Sequence, residues 1–230
     1  MARRILVLEH MDHATPDAGL AHLRARGAEA RVVQAWQGEA LPELEDVDGL
    51  LVMGGPQMVT DIAALPWMQA EIALLRRALE RGLPMLCICL GAQMLAHGLG
   101  ATVAPDPQGR IAWGFHAVRP LPAAANPIPE GLTVLSGNFQ GFSLPAGAER
   151  LATAEGPWAN QAFRIGPALA TQFHPEVTRP ILESWQAELA PHLHRPGATT
   201  VAQQDADFAR FDPALKAWYR GELDRRFGLG

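Results

Sequence analysis

Cysteine is scarce in this chain of 230 residues, which contains only Cys87 and Cys89. One residue separates the two, and we expect their side chains to point to opposite faces and to form no disulfide. A zinc site needs about four ligands, commonly with C-x2-C pairs, and the sequence has no second cysteine pair. We therefore expect no metal site and no cofactor. The remaining possibility of interest is a reactive thiol.

Long apolar runs and clusters of basic residues are also missing. The run Ile5–Leu8 ends at Glu9, too early for a signal peptide, and no run approaches the roughly 20 residues that a membrane span needs. The formal net charge is -5, with acidic and basic residues interspersed, whereas a nucleic-acid partner would require clustered Lys and Arg. We therefore expect a cytoplasmic protein that binds neither membranes nor nucleic acids.

Apolar residues make up 48% of the chain, enough for a sizeable core. In the first hundred residues, short apolar runs alternate with segments of helical periodicity, which indicates parallel strands with helices between them. The predicted strands are Ile5–Leu8, Arg31–Gln34, Gly49–Met53 and Pro84–Ile88, and the predicted helices are Asp17–Arg26, Pro66–Arg81 and Leu90–Leu99. The pattern predicts an α/β fold with a mostly parallel central sheet and helices on both faces, in a flavodoxin-like three-layer arrangement.

After Gly100, short apolar runs are separated by Gly, Pro and Asn, which is typical of an antiparallel extension. These runs are Ala112–Val118, Thr133–Ser136, Leu151–Ala154, Gln161–Ile165 and Ala168–Phe173. The polar stretch from Leu189 to Gln204 is interpreted as a loop, and Asp205–Phe227 as a helix that packs on the core or, alternatively, binds a partner. We expect a single domain over 1–230, with a core of about 1–190 and a C-terminal helical appendage of about 205–227.

The segment from Cys89 to Gln93 joins the strongest predicted strand to a helix without a spacer. A residue in such a turn lies above the carboxyl edge of the sheet, as the serine of the G-x-S-x-G nucleophile elbow does. The helix N-terminus favours a thiolate, and the N–H of Leu90 can stabilise an oxyanion. The turn Gly54-Gly55-Pro56 ends a neighbouring strand, and the Gly55 N–H is a candidate second donor. The alternative is that Cys89 is a buried hydrophobe, as we expect of Cys87.

A cysteine nucleophile needs a base, and the base needs a group that orients it. His174 follows a predicted strand, and in an extended segment Glu176 projects to the same side, so its carboxylate can hold one ring nitrogen while the other faces the thiol. The other histidines have no carboxylate placed beside them by pattern, and we expect them to be surface or packing residues. They are His10, His13, His22, His97, His116, His192 and His194.

Together these motifs resemble the class I, triad-type glutamine amidotransferases. The resemblance covers Ile5 to Thr178 and rests on G-G-P at 54–56, C-x-G-x-Q at 89–93, N-Q-A-F at 160–163 and Q-F-H-P-E-V at 172–177. The spacing is similar to free-standing bacterial members related to the amidotransferase domain of GMP synthetase. The resemblance implies a triad and an oxyanion hole that holds the substrate carbonyl. The implied triad is Cys89, His174 and Glu176, and the implied oxyanion donors are Gly55 and Leu90.

The same resemblance implies a glutamine pocket that includes Gly54 and Gln93. Relatives carry a W-H-G-D-like segment where this chain has 137–140, so Asn138 and Gln140 stand in place of His and Asp and are predicted to bind substrate. A second departure is Arg110–Trp113, where relatives resemble E-I-G-W. One interpretation is a glutaminase that supplies ammonia to a separate synthase chain. A second is a hydrolase of γ-glutamyl peptides or amines, and a third is a non-catalytic binding module.

Overall fold

The computed structural model describes residues 2–12 and 16–230 and contains a central sheet flanked by helices. The strands in chain order are β1 Arg4–Leu8, β2 Glu29–Val33, β3 Gly49–Val52, β4 Met85–Ile88, β5 Val103–Ala104, β6 Ala112–Ala117, β7 Arg119–Pro120, β8 Thr133–Asn138, β9 Gly141–Phe142, β10 Glu149–Thr153, β11 Asn160–Ile165 and β12 Ala168–Thr171. The helices are α1 Ala18–Ala25, α2 Pro66–Glu80, α3 Leu90–Gly98, α4 Arg179–Glu188 and α5 Val201–Phe227.

Eight strands form the main sheet in the order β2-β1-β3-β4-β12-β11-β10-β7. The first five are parallel to one another, and β11, β10 and β7 extend the sheet antiparallel. Two small antiparallel ribbons, β5–β9 and β6–β8, lie outside this sheet. The mostly parallel α/β fold with an antiparallel extension is therefore confirmed.

The strand side chains divide the core into two apolar layers, one on each face of the sheet. On one face α1 and α5 pack on β1, β3 and β4, and on the other face α2 and α3 pack on the alternate residues of the same strands. Cys87 belongs to the second layer and Cys89 to the first, as expected. The reason is not their spacing, because residues two apart in a strand share a face. Cys89 lies outside β4, and its φ of 47° turns its side chain to the other layer. A third cluster joins the β6–β8 ribbon to α4 through Trp113, Leu135 and Trp185.

Three segments differ from the sequence-based expectation. Ala168–Phe173 is not only part of the antiparallel extension: its strand β12 pairs parallel with β4, which places residue 174 beside the turn after β4. Helix α4 was not predicted. Helix α5 begins at Val201 because Thr200 caps it, accepting a hydrogen bond from the Gln203 N–H, so the predicted loop is shorter than expected.

Helix α5 contributes buried side chains to the layer it shares with α1. Leu215, Tyr219 and Leu223 are fully buried against the sheet, as expected for a helix that packs on the core. Across 2–12 and 16–230, no helix is both long and apolar enough to cross a membrane.

Candidate active site

Cys89 occupies a strained turn between β4 and α3. Its φ of 47° lies in the left-handed region, which side chains other than glycine rarely adopt. The turn is held on both sides: the Cys89 N–H donates to the Thr171 carbonyl at 2.7 Å, and the Gly91 N–H donates to the Met53 carbonyl at 3.2 Å. A Cβ atom on Gly91 would lie 2.6 Å from the Val52 carbonyl oxygen, so this position requires glycine. The geometry is that of a nucleophile elbow.

His174 lies directly after β12, next to this elbow in the sheet. Its Nδ1 hydrogen-bonds Glu176 Oε1 at 2.7 Å, and its backbone N–H donates to the Leu135 carbonyl at 2.8 Å. The Trp185 ring packs edge-on against the imidazole, with centroids 4.8 Å apart. Both members of the His–Glu pair are almost fully buried, so the ring has a fixed orientation.

The charge state of His174 is set by its two neighbours. Burial by itself would lower its pKa, but the Glu176 carboxylate and the Cys89 sulfur outweigh burial and raise the pKa from 6.5 to about 10. His174 therefore carries a proton at neutral pH. Its Nε2 makes no hydrogen bond in the described part of the chain, which leaves this atom available to a substrate.

Two side-chain amides that do not line the cavity contact the Cys89 sulfur. Asn138 Nδ2 lies 3.2 Å from Sγ and also donates to the Gln172 carbonyl at 2.9 Å, while Gln172 Nε2 lies 3.8 Å from Sγ. Asn138 is only 1% exposed. This predicted substrate-binding residue therefore contacts the sulfur and does not belong to the cavity wall.

Gln93 and Gln140 form a linked pair at the cavity. Gln93 Nε2 donates to the Gln140 carbonyl at 2.9 Å, and Gln140 Nε2 donates to Gln93 Oε1 at 3.0 Å. Both residues are buried, and both line the cavity. The Gln140 Oε1 atom has no partner among the described residues, so it is an acceptor available to a bound amine or amide.

The Gly54-Gly55 turn approaches the triad closely. A Cβ atom on Gly54 would lie 2.7 Å from the His174 Cε1 atom, so a larger residue would displace the ring. Gly55 lines the same cavity as Cys89. Leu90 is the first residue of α3, so its N–H has no acceptor within the helix. These two N–H groups stay our predicted oxyanion donors.

Cys89 and His174 open onto a cavity of about 410 Å³. Most of its wall is apolar, and its polar groups are few. The lining residues are Met11, Gly55, Pro56, Gln57, Met58, Cys89, Gln93, Gly137, Phe139, Gln140, His174, Trp185, Glu188, Leu189 and His192. A mostly apolar pocket with a few convergent polar groups is typical of a small-molecule site.

Several residues of this region were not identified from the sequence. Gln172 lies inside the quoted Q-F-H-P-E-V motif, whereas Trp185 comes from the unpredicted α4. His10 was expected to lack a carboxylate partner, but it is fully buried and hydrogen-bonds Glu71 at 2.8 Å. His22 likewise pairs with Asp224. His13 lies outside the described residues.

Known proteins are similar to this chain in sequence and in fold. The family model for Glutamine amidotransferase class-I matches residues 17–181. A GMP synthase [glutamine-hydrolyzing] from Thermomicrobium roseum is 37% identical over 145 residues, covering 59% of this chain and 24% of that protein. The chain thus spans about a quarter of that curated relative.

Two further comparisons cover more of the similar protein. The pyridoxal 5'-phosphate synthase subunit PdxT of Kineococcus radiotolerans is 31% identical over 179 residues, covering 69% of this chain and 81% of that protein. The crystal structure of a glutamine amidotransferase from Thermotoga maritima superposes with a TM-score of 0.86 at 26% identity and covers 99% of both chains. Because the family model matches more than half of the length of this chain, the chain belongs to the class I glutamine amidotransferase family.

Proposed function

We propose that this chain hydrolyses the γ-carboxamide of glutamine through a cysteinyl thioester and releases ammonia for a separate synthase. The observation that carries the proposal is the arrangement of Cys89, His174 and Glu176. The sulfur and the imidazole face one cavity, and the carboxylate holds Nδ1 at 2.7 Å from behind. Nucleophile, base and orienting group are thus present in the order that covalent catalysis needs.

The proposed reaction has two halves. The Cys89 thiolate attacks the γ-carbonyl carbon, and the N–H groups of Gly55 and Leu90 stabilise the oxyanion. His174 Nε2 gives its proton to the amide nitrogen, the C–N bond breaks, and ammonia leaves. The now neutral His174 takes a proton from water, whose oxygen attacks the thioester. Collapse of that second tetrahedral intermediate releases glutamate and regenerates the thiolate.

The synthase partner is supported by the names of similar proteins. One relative is a pyridoxal 5'-phosphate synthase subunit, and another is a GMP synthase that extends well beyond the part this chain matches. We therefore propose that the ammonia is used by another polypeptide.

A second candidate function is hydrolysis of γ-glutamyl peptides or amines by the same triad. The cavity wall formed by Phe139, Trp185 and Leu189 favours it. A free carboxamide nitrogen gains nothing from an apolar wall, whereas an apolar substituent on that nitrogen would be desolvated there. A non-catalytic binding module is the third interpretation, and the intact set of Cys89, His174 and Glu176 argues against it.

The test is to measure ammonia and glutamate released from glutamine, and then amine or peptide released from a panel of γ-glutamyl compounds. We expect Cys89→Ala to abolish release and Cys87→Ala to leave it nearly unchanged, since Cys87 is buried on the other face of the sheet. Preference for a γ-glutamyl peptide over glutamine would select the second candidate. A wild-type protein that hydrolyses none of these compounds would refute both candidates.

A further inference from the structure

We propose that His10 and Glu71 form a buried pair that positions the Gly54-Gly55 turn, and with it the predicted oxyanion donor of Gly55. This inference rests on the proposed function for its catalytic consequence. The two residues come from different elements, since His10 follows β1 and Glu71 lies on α2. Both side chains are 0% exposed, and neither belongs to the Cys–His–Glu set.

The first contact is between the His10 ring and the end of β3. His10 Nδ1 lies 3.0 Å from the Met53 carbonyl oxygen. A carbonyl can only accept, so Nδ1 must carry the hydrogen. The same carbonyl accepts the Gly91 N–H at 3.2 Å. One peptide group therefore ties the residue before the Gly54-Gly55 turn to both His10 and the first turn of α3.

The second contact fixes this tautomer. His10 Nε2 lies 2.8 Å from Glu71 Oε2, so one proton is held between an imidazole nitrogen and a carboxylate oxygen. Whichever atom holds that proton, Nδ1 keeps its own and stays directed at Met53. A second ring packs on the imidazole as well, because Trp67 stacks on it with centroids 5.6 Å apart. The imidazole ring of His10 therefore cannot rotate or flip over without breaking a buried hydrogen bond.

His10 also contacts the turn beyond Met53. A Cβ atom on Gly55 would lie 2.5 Å from the His10 Cβ, so this glycine packs directly against the histidine. The Gln57 Nε2 atom donates to the His10 carbonyl at 2.8 Å. Residue 10 thus holds the chain before, at and after Gly55. An oxyanion donor acts only when it is held in place, and a displacement of about 1 Å can cost roughly 10²-fold in rate.

The experiment compares substitutions that keep the packing and change the hydrogen bonds. His10→Phe keeps a ring that can stack on Trp67 but removes the donor to Met53. Glu71→Leu removes the partner of Nε2, whereas Glu71→Gln retains an amide that can donate to Nε2 and keep hydrogen on Nδ1. His116→Phe is the matched control, since His116 lies on β6 and hydrogen-bonds Gln161 outside the cavity.

We expect His10→Phe and Glu71→Leu to lower kcat by about 10²-fold on whichever γ-glutamyl substrate the wild type hydrolyses, with little change in KM. Glu71→Gln should recover most of this loss, and His116→Phe should show none. The rate at which iodoacetamide alkylates Cys89 should stay near the wild-type value. Equal losses of alkylation and turnover, or an unchanged kcat in His10→Phe, would overturn the proposal.

Amide hydrogen exchange provides a readout that does not depend on activity. In His10→Phe, the peptide covering 54–57 should exchange faster than in the wild type, while the peptide covering β12 should not change. If the peptide covering 54–57 exchanged at the same rate in His10→Phe and in the wild type, the positioning role would be refuted even if the wild type were inactive. A wild type without γ-glutamyl activity but with the expected exchange would refute the proposed function and leave the positioning intact.

Discussion

The imidazole of His174 lies between two groups that favour its charged form, Glu176 and the Cys89 sulfur. Although burial opposes this effect, the two groups raise the pKa of His174 to about 10. Because this value exceeds the ordinary 6.5, the attraction of the His174 imidazolium to these groups stabilises the fold fully below pH 6.5. The stabilisation is lost as the pH rises through about 10. We expect Cys89→Ala to lower the pKa of His174 by removing the thiolate charge. NMR of the His174 ring signals across this pH range, in the wild type and in Cys89→Ala, would measure this change in pKa. The same titration midpoint in both proteins would contradict the prediction.

Glu176 should be needed for turnover and not for folding. Glu176→Gln removes the charge that stabilises the His174 imidazolium and leaves a side chain of similar shape. We expect kcat to fall by several orders of magnitude, since loss of the corresponding carboxylate in a serine triad costs about 10⁴-fold. Steady-state kinetics with a circular dichroism check would test this. Normal turnover in a folded variant would show that another group orients His174.

Asn138 should act on the nucleophile because its amide lies 3.2 Å from the Cys89 sulfur. Asn138→Asp replaces this donor with a carboxylate that repels negative charge on the sulfur, so we expect slower alkylation of Cys89 at neutral pH. The pH profile of iodoacetamide alkylation would measure it. Asn160→Asp is the control, since that amide donates to the Phe142 carbonyl outside the site. An unchanged profile in Asn138→Asp would contradict the contact.

The positions of Cys89, His174 and Glu176 relative to their strands could be predicted because they depend on local sequence, although their catalytic roles stay a prediction. Cys89 follows a strand directly, and His174 and Glu176 share one side of an extended segment. The contact between Asn138 and the sulfur could not be predicted in this way, because it depends on how the separate β6–β8 ribbon crosses over the sheet. His10 and Glu71 are 61 positions apart and meet only when α2 packs on the sheet. Contacts between residues so far apart in the chain cannot be predicted from local sequence patterns.

The N-terminus of α1 contains a buried acid whose titration should affect stability. Asp17 caps α1 through the N–H groups of Gly19 and Leu20, and burial raises its pKa from 3.8 to about 7. Between these values the native state holds a proton that the unfolded chain has released, so the free energy of unfolding falls as the pH rises. The difference between 3.8 and about 7 corresponds to roughly 4 kcal/mol.

Asp17→Asn should abolish this dependence, because asparagine can cap the helix without carrying a titrating group. Urea denaturation at a series of pH values between 4 and 8 would compare the two proteins. We expect the wild type to lose stability relative to the variant as the pH rises through this window. Parallel curves would show that Asp17 does not titrate in the native state there.

The central strands and helices were predictable because their apolar periods are clear, whereas α4 and the start of α5 were not. Helix α4 has a proline at its second residue and few apolar positions, so its buried side of Ile181, Leu182 and Trp185 is short. The first turns of helix α5 contain Gln203, Gln204, Asp205 and Asp207, and the helix also contains Pro213, so its start has little helical pattern in the sequence. In both cases tertiary packing on the core stabilises a helix that the sequence signals weakly.

We propose that residues 1–230 unfold as one unit, with α5 included. Leu223 is fully buried in the apolar layer that α5 shares with α1 and the sheet. We expect Leu223→Ala to lower the free energy of unfolding by about 2–5 kcal/mol and to shift near-UV and far-UV circular dichroism together. Arg220→Ala, on the exposed side of the same helix, is the control. Separate transitions would instead identify α5 as an independent appendage.

Cys89 and His174, the proposed nucleophile and base, follow adjacent strands of the sheet, yet 85 positions of chain separate them. Strand β12 pairs in parallel with β4, Ala168 opposite Met85, and the antiparallel extension lies between them in the sequence. Closing so long a loop is a slow event in folding. We therefore expect turnover to recover late after dilution from denaturant, after helical circular dichroism has returned. Until β12 pairs with β4, Cys89 and His174 do not lie side by side.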